Sequence, residues 1–441
     1  MSAYDSLYAA TAPRASTPAF DGGRRPIDIP FWACVFATLA FSQFYVMLVM
    51  GPGNGGAEPS SSAANPMSAA LRLVFFPVYL AVFAVICMRP WRFAKTLARS
   101  WLLVALLTVA VCSIVWSLQP GVTQRRLVAI IFTTLAGVLL AERFEWPKTL
   151  EVVATCYAVV VAMSFIFGVL MPSYGVMSQD FVGAWRGVYG QKNQLGAAMS
   201  LATPTFLACA LANPVRRKLW LGFAAAAFAL LLLSTSKTAL LSCMAGLCFV
   251  PIIALCRHNA ALGTLAVFAA VSFVTLLGAV LVLAPELVFK LIGRDATLTG
   301  RTVIWEAVQR QIDLKPWTGY GYGAVWDDQS GRGPVAWISK EQGFTIFSAH
   351  NTVLGLWIEL GYFGVAAWLA LLGGSWLKGL IRLSTAPAFF FMPFLTVFTL
   401  HSLSEADALL QNDLGWVIFS MTATKLAMPW RPERQASDPQ A

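Results

Sequence analysis

Residues 150–171 read LEVVATCYAVVVAMSFIFGVLM, a run of 22 residues in which Glu151 is the one charged side chain. A helix of that length spans about 33 Å, enough to cross the ~30 Å hydrocarbon core of a bilayer. Runs of the same character recur on both sides of it. Across all 441 residues 58% are apolar and 12% are charged, about half the charged fraction of a typical globular chain, and the mean hydropathy is +0.68. So little charge excludes most soluble folds and points to an all-α, polytopic integral membrane protein.

Twelve membrane helices are predicted, near Phe31–Met50, Ala69–Met88, Trp101–Leu118, Leu127–Ala141, Leu150–Met171, Asn193–Ala212, Leu219–Leu233, Thr238–Cys256, Ala261–Ala284, His350–Gly373, Ala388–Leu403 and Leu414–Met428. Residues 1–30 are polar and rich in Pro, Ser and Gly, and read as a disordered cytoplasmic tail. Residues 31–428 form the membrane domain, and 429–441 a cytoplasmic C-terminal tail. A long segment, 285–349, separates the ninth and tenth spans. Within it Val303, Ile304, Ala307, Val308 and Ile312 recur at helical spacing, which predicts an amphipathic helix on the membrane surface, ended by Pro316.

Basic residues set the orientation. With the N-terminus inside, 18 Lys and Arg lie on the cytoplasmic side and six in the short loops opposite, the long segment excepted because long loops obey the rule poorly. Both termini are expected in the cytoplasm, and segment 285–349 outside. The net charge of +10 is dispersed between apolar segments and implies no nucleic acid. Eight cysteines lie in or beside apolar runs with no CxxC pair, and three histidines show no ligand spacing, so neither a disulfide framework nor a metal site is expected, and no cofactor.

The six external exceptions are Arg72, Arg125, Arg126, Arg186, Lys192 and Lys237. Arg186 and Lys192 fall in Trp185–Gly196, Lys237 in Ser234–Thr238, and Arg294 and Arg301 in Gly293–Arg301, all on one predicted side. Ser348-Ala-His-Asn351 adds His350 as the one plausible neutral base. This combination suits a substrate that carries phosphate. Cations in a poorly hydrated groove stabilise the negative charge that gathers on a departing phosphate group. The attacking hydroxyl needs a base as it loses its proton. His350 precedes a helix whose positive dipole end disfavours imidazolium.

GVYGQKNQLG, LSTSKTALLS, GRDATLTGRTVIW and SAHNTVLGLWIELGYFG together resemble the successive signature segments of the bacterial O-antigen polymerase and O-antigen ligase superfamily, over roughly Pro120 to Trp368. The wording is most similar to polymerases of succinoglycan-type exopolysaccharides. The resemblance implies a GT-C-like enzyme of the bacterial inner membrane with a periplasmic site. It implies an undecaprenyl-pyrophosphate-linked oligosaccharide as donor, and inverting transfer to a second lipid-linked repeat unit. By motif the catalytic residues fall on Lys237, Arg301 and His350; from their place in the same patches, Arg186, Lys192, Arg294, Asn193, Asn351 and Tyr320 are expected as substrate contacts. Lys237 stands where the ligase pattern carries Arg, which keeps charge but loses the bidentate fork and leans toward polymerase. Polymerases of this kind work beside a flippase and a chain-length co-polymerase, in contact with membrane lipids.

Plainer readings stand beside these. Arg301 can pair with Glu306 or Asp295, Lys237 can snorkel to headgroups, and His350 can cap its helix. Arg125 and Arg126 suit headgroup anchoring, Tyr320, Tyr322 and Trp326 an interfacial belt, and Asp327, Asp328 and Glu341 ordinary solvation. A ligase acting on lipid A-core is the nearest alternative enzyme. A lipid-linked oligosaccharide flippase is the alternative of another class, but the candidate residues gather on one face rather than along a central path.

Overall fold

The computed structural model describes residues 29–45, 66–178, 181–259, 261–270, 272, 301–326, 331–343 and 346–429. Named in chain order, the helices are α1 (Ile29–Phe41), α2 (Pro66–Cys87), α3 (Pro90–Arg99), α4 (Trp101–Cys112), α5 (Pro120–Arg143), α6 (Trp146–Leu170), α7 (Lys192–Ala212), α8 (Arg217–Leu233), α9 (Lys237–Leu247), α10 (Phe249–His258), α11 (Ala261–Ala270), α12 (Arg301–Leu314), α13 (Pro334–Gln342), α14 (Thr352–Ile381), α15 (Ala388–Ser402) and α16 (Leu414–Ala427). Each of the twelve apolar stretches carries helix in its described part. Among the described residues, five helices are long and apolar enough to cross a membrane: α5, α6, α7, the α9–α10 pair and α14. A sixth follows if α2 and α3, bent by 100°, count as one span. The remaining apolar helices are shorter within the described residues.

The core centres on α15 and α16, whose Phe390, Phe394, Phe398, Trp416 and Phe419 are fully buried. Phe398 and Phe419 stack 4.7 Å apart, and Trp368 of α14 closes on both. Gly137 of α5 lets α16 approach closely, since a Cβ there would come 2.5 Å from the Val417 carbonyl and 2.7 Å from Ser420 Cβ.

α14 is broken at Gly361, where φ is 65° and ψ −164°. The break strips Ile358 and Glu359 of their intrahelical donors, and the loop after α12 replaces them. Tyr320 N–H donates to Ile358 O at 2.9 Å, Gly321 N–H to Glu359 O at 2.8 Å, and Tyr362 N–H to Pro316 O at 2.9 Å. The Trp317–Gly323 loop is thereby stitched into a membrane helix. Every polar backbone group freed by the break needs such a partner away from water.

The amphipathic helix forms where expected, but its apolar face meets protein rather than the membrane surface. Ile304, Ala307, Val308 and Ile312 pack with Tyr320, Val325, Ile338, Ile346, Ala349 and Ile358 in a second, smaller core. A folded loop offers that face a dry, shape-matched surface. Arg310 and Glu341 pair at 2.6 Å between α12 and α13. Arg126 also departs from the headgroup reading: its Nε is buried, and a Cβ at Gly323 would overlap its side chain.

Two glycines of α14 make a matched test of the break. Gly361→Ala should destabilise by about 3 kcal/mol or more, because it adds backbone strain and a clash with the Trp317 carbonyl. Gly373→Ala meets nothing within 4 Å and should be neutral or stabilising by up to about 1 kcal/mol. Thermal unfolding of the two variants in one detergent decides between them.

Candidate active site

Two groups of polar side chains collect at one end of the bundle. The first is built on helix starts. α7 begins at Lys192 and α9 at Lys237, and neither N-cap residue, Gln191 or Ser236, makes a side-chain capping bond. Neither helix start is therefore closed by the side chain of its own N-cap residue. The two starts adjoin because Gly196 has no side chain: a Cβ there would come within 2.7 Å of Ser236 Cβ and 3.0 Å of Ser234 Oγ. Lys192 Nζ bonds to Thr235 Oγ1 at 3.1 Å and lies 3.9 Å from the Phe181 ring centre. Lys237 and Asn193 are exposed beside it. A lysine at the positive end of a helix dipole is locally unfavourable, and an anion beside two such ends offsets both.

The second group centres on Glu405, in the loop between α15 and α16. One carboxylate oxygen accepts from Arg301 Nη2 at 2.8 Å, and the other pairs with His350 Nδ1 at 2.8 Å. Arg301 Nη1 also donates to the Ser404 carbonyl at 2.7 Å. Arg301 therefore pairs across the fold and not with Glu306. A carboxylate only accepts, so Nδ1 carries a proton, and in the neutral ring Nε2 presents its lone pair. The His350 side chain is 40% exposed, which leaves that nitrogen open to a substrate hydroxyl. Its φ of 47° is a left-handed conformation uncommon outside glycine, and Thr235, Leu409 and Asn412 share it.

The loop holding Glu405 is fixed from several sides. Thr352 Oγ1 donates to Glu405 O and accepts from Asp407 N–H. Tyr322 OH donates to Leu409 O, Tyr79 OH to Asn412 Oδ1, and Gln43 Nε2 to Asn412 O. Burial raises the Glu405 carboxyl, but the hydrogen bond and charge of His350 and the charge of Arg301 outweigh it and hold the group below its ordinary value. Burial, with the charges of Asp413 and Glu405, pushes Asp407 well up, and burial pushes Asp413 up to about 6. Glu405 is thus the carboxyl of this loop most firmly held as an anion.

Helix pairings put both groups at the same end. Ser200 of α7 bonds His401 of α15 at 3.1 Å, and Gly246 of α9 meets Pro393 and Val397 of α15. Lys237 lies nine residues before Gly246, about 14 Å along α9, on the side toward which α15 rises to Glu405.

The other expected residues have structural roles. Arg186 is 6% exposed and donates to the carbonyls of Tyr174 at 2.7 Å and Ser173 at 2.9 Å, holding the chain between α6 and α7. Burial lowers its pKa. Tyr320 is 6% exposed, its hydroxyl donates to Gln311 O and Lys315 lies over its ring, so it offers no open face for sugar stacking. Asn351 caps α14 through Leu354 N–H and donates to Leu403 O. Arg294, Asp327 and Asp328 lie outside the described residues. Glu405 is the residue that sequence reasoning missed; the available signal was an acid-bearing loop on the same predicted side as His350.

Residues 221–369 match the family model described as O-Antigen ligase. That span holds Lys237, Arg301 and His350 and stops before Glu405. The chain is also 26% identical over 357 residues to the exopolysaccharide production protein ExoQ of Rhizobium meliloti (strain 1021), covering 75% of this chain and 78% of that relative. An apolar helical bundle, a one-sided site and these matches point the same way: residues 221–369 are similar to the O-antigen ligase family.

Proposed function

We propose that the protein is an exopolysaccharide polymerase. It moves a growing glycan from undecaprenyl pyrophosphate onto the non-reducing end of another lipid-linked repeat unit, on the periplasmic side of the inner membrane. The observation that carries the reading is Glu405 joining His350 to Arg301. The acceptor hydroxyl gives its proton to His350 Nε2 as its oxygen bonds to the anomeric carbon. Glu405 fixes the tautomer and stabilises the imidazolium that forms, as a carboxylate does beside a catalytic histidine. The bond from the anomeric carbon to the pyrophosphate oxygen breaks on the opposite face, with inversion. Lys237, Lys192 and the adjoining helix starts receive the diphosphate charge, together with the Arg301 donors that Glu405 and Ser404 leave unused. No step calls for a metal.

A ligase with lipid A-core as acceptor is the second reading, favoured by the description of the matching family. The likeness of about three quarters of the chain to a protein named for exopolysaccharide production favours the polymerase. Purified protein given the lipid-linked repeat unit alone should lengthen chains. Growth that requires lipid A-core would establish the ligase instead, and substrate that crosses the bilayer unchanged would sink both.

His350→Ala should abolish transfer while the donor still binds. Glu405→Gln should lower kcat by about 10²–10⁴-fold with a smaller change in KM, and normal turnover in either variant removes that residue from the mechanism. Acid stability gives an independent measure. Because the Glu405 pKa is depressed below the ordinary 4.5, its pairing stabilises the fold above that pH and is lost as pH falls through the lower folded value. Glu405→Gln should therefore flatten the acid limb of the stability curve, as followed by thermal unfolding between pH 3 and pH 7.

A further inference from the structure

Cations that the transfer chemistry does not use gather at the opposite end of the bundle. α3 turns 100° away from α2, so it runs across the bundle end rather than through it. Its sequence, PWRFAKTLAR, has three cations and no acid. Arg92, Lys95 and Arg99 are spaced i, i+3, i+7 and exposed on one face, while Phe93 and Thr96 on the adjoining face are buried. Trp91 is 72% exposed at its start, 5.2 Å from Lys95 Nζ.

At its other end α3 opens on a pocket between the α3–α4 junction, α14 and α16. Leu102, Leu371, Gly374 and Ala423 supply apolar wall, and Arg99 and Lys378 both line it. Gly374 keeps the slot open, since a Cβ there would already reach Leu102 Cδ1 at 3.0 Å. Among the described residues the ion pairs involve none of Arg92, Lys95, Arg99 and Lys378. Lys378 lies 17 residues past the Gly361 break, about 26 Å along the second half of α14, and His350 precedes the start of its first half, which puts this pocket and His350 at opposite ends of that helix.

We propose that Arg99 and Lys378 bind the phosphate of an anionic phospholipid in the leaflet opposite the active site. One acyl chain lies along Leu102, Leu371 and Gly374, and the exposed face of α3 rests on neighbouring anionic headgroups. Basic residues beside an apolar slot complement a headgroup that carries net negative charge joined to hydrocarbon. A zwitterionic headgroup brings its own ammonium and gains less from them. A soluble phosphate would make no use of the apolar wall. An amphipathic helix with tryptophan at its edge suits the interface itself.

Native mass spectrometry of the full-length protein, from nanodiscs of mixed phosphatidylglycerol and phosphatidylcholine, tests this without reference to turnover. Phosphatidylglycerol should be retained in preference. Arg99→Ala with Lys378→Ala should weaken its retention by about 30-fold, at roughly fivefold per basic residue. Gly374→Leu should abolish retention by filling the slot while both cations remain, and Lys340→Ala at the other end should change nothing. Circular dichroism checks that each variant folds; if the double variant does not, Arg99→Gln and Gly374→Leu decide. Equal retention of the two lipids, or a preference unchanged in those variants, overturns the proposal. So does competition by glycerol phosphate as effective as that by the lipid.

Discussion

Glu405 is the contact on which the candidate site depends. It joins a residue 104 positions earlier, Arg301, to one 55 positions earlier, His350, and no other described side chain bridges them. A carboxylate in this half-buried position is costly unless both oxygens are satisfied, and two cationic or proton-bearing partners do so. The arrangement fixes the position of Arg301, the tautomer of His350 and the placing of the loop between α15 and α16. Without Glu405 the Arg301 guanidinium would lose its one carboxylate partner among the described residues, at the end of the bundle that also carries Lys192 and Lys237.

That loop can hold a charge in place because it is itself held. Thr352, Tyr322, Tyr79 and Gln43 bind its backbone or Asn412 from four separate segments. Tyr322 belongs to the loop stitched into the break of α14, so the glycine at 361 also shapes the surroundings of Glu405. Left-handed conformations at Thr235, His350, Leu409 and Asn412 fall on the segments that form this end of the bundle. Each costs energy that the surrounding hydrogen bonds and packing must offset.

Much of the fold was legible because membrane helices follow from length and apolarity alone. Val152–Met171 needs no partner to be recognised as a span, and the i, i+3, i+4 pattern of α12 was equally plain. What periodicity could not show was the surface that an apolar face would meet. Ile304 and Val308 would suit a bilayer surface as well as they suit Tyr320 and Ile358. Arg186 and Tyr320 are expected to face a substrate, yet both are turned inward, because carbonyls with no intrahelical donor drew the polar groups.

The amino-acid order by itself determined the all-helical membrane class and the family likeness, and it led to the expectation that Lys192, Lys237, Arg301 and His350 share one side. These follow from local composition, from counting charges on alternate loops and from motif order. The tertiary structure alone decided that Glu405 bonds both Arg301 and His350, that Arg186 donates to the Tyr174 and Ser173 carbonyls, and that Arg99 and Lys378 line one pocket at the far end. Ionic contacts between segments separated by tens to hundreds of residues leave no periodic trace in a sequence. They exist only once packing has brought the helices together.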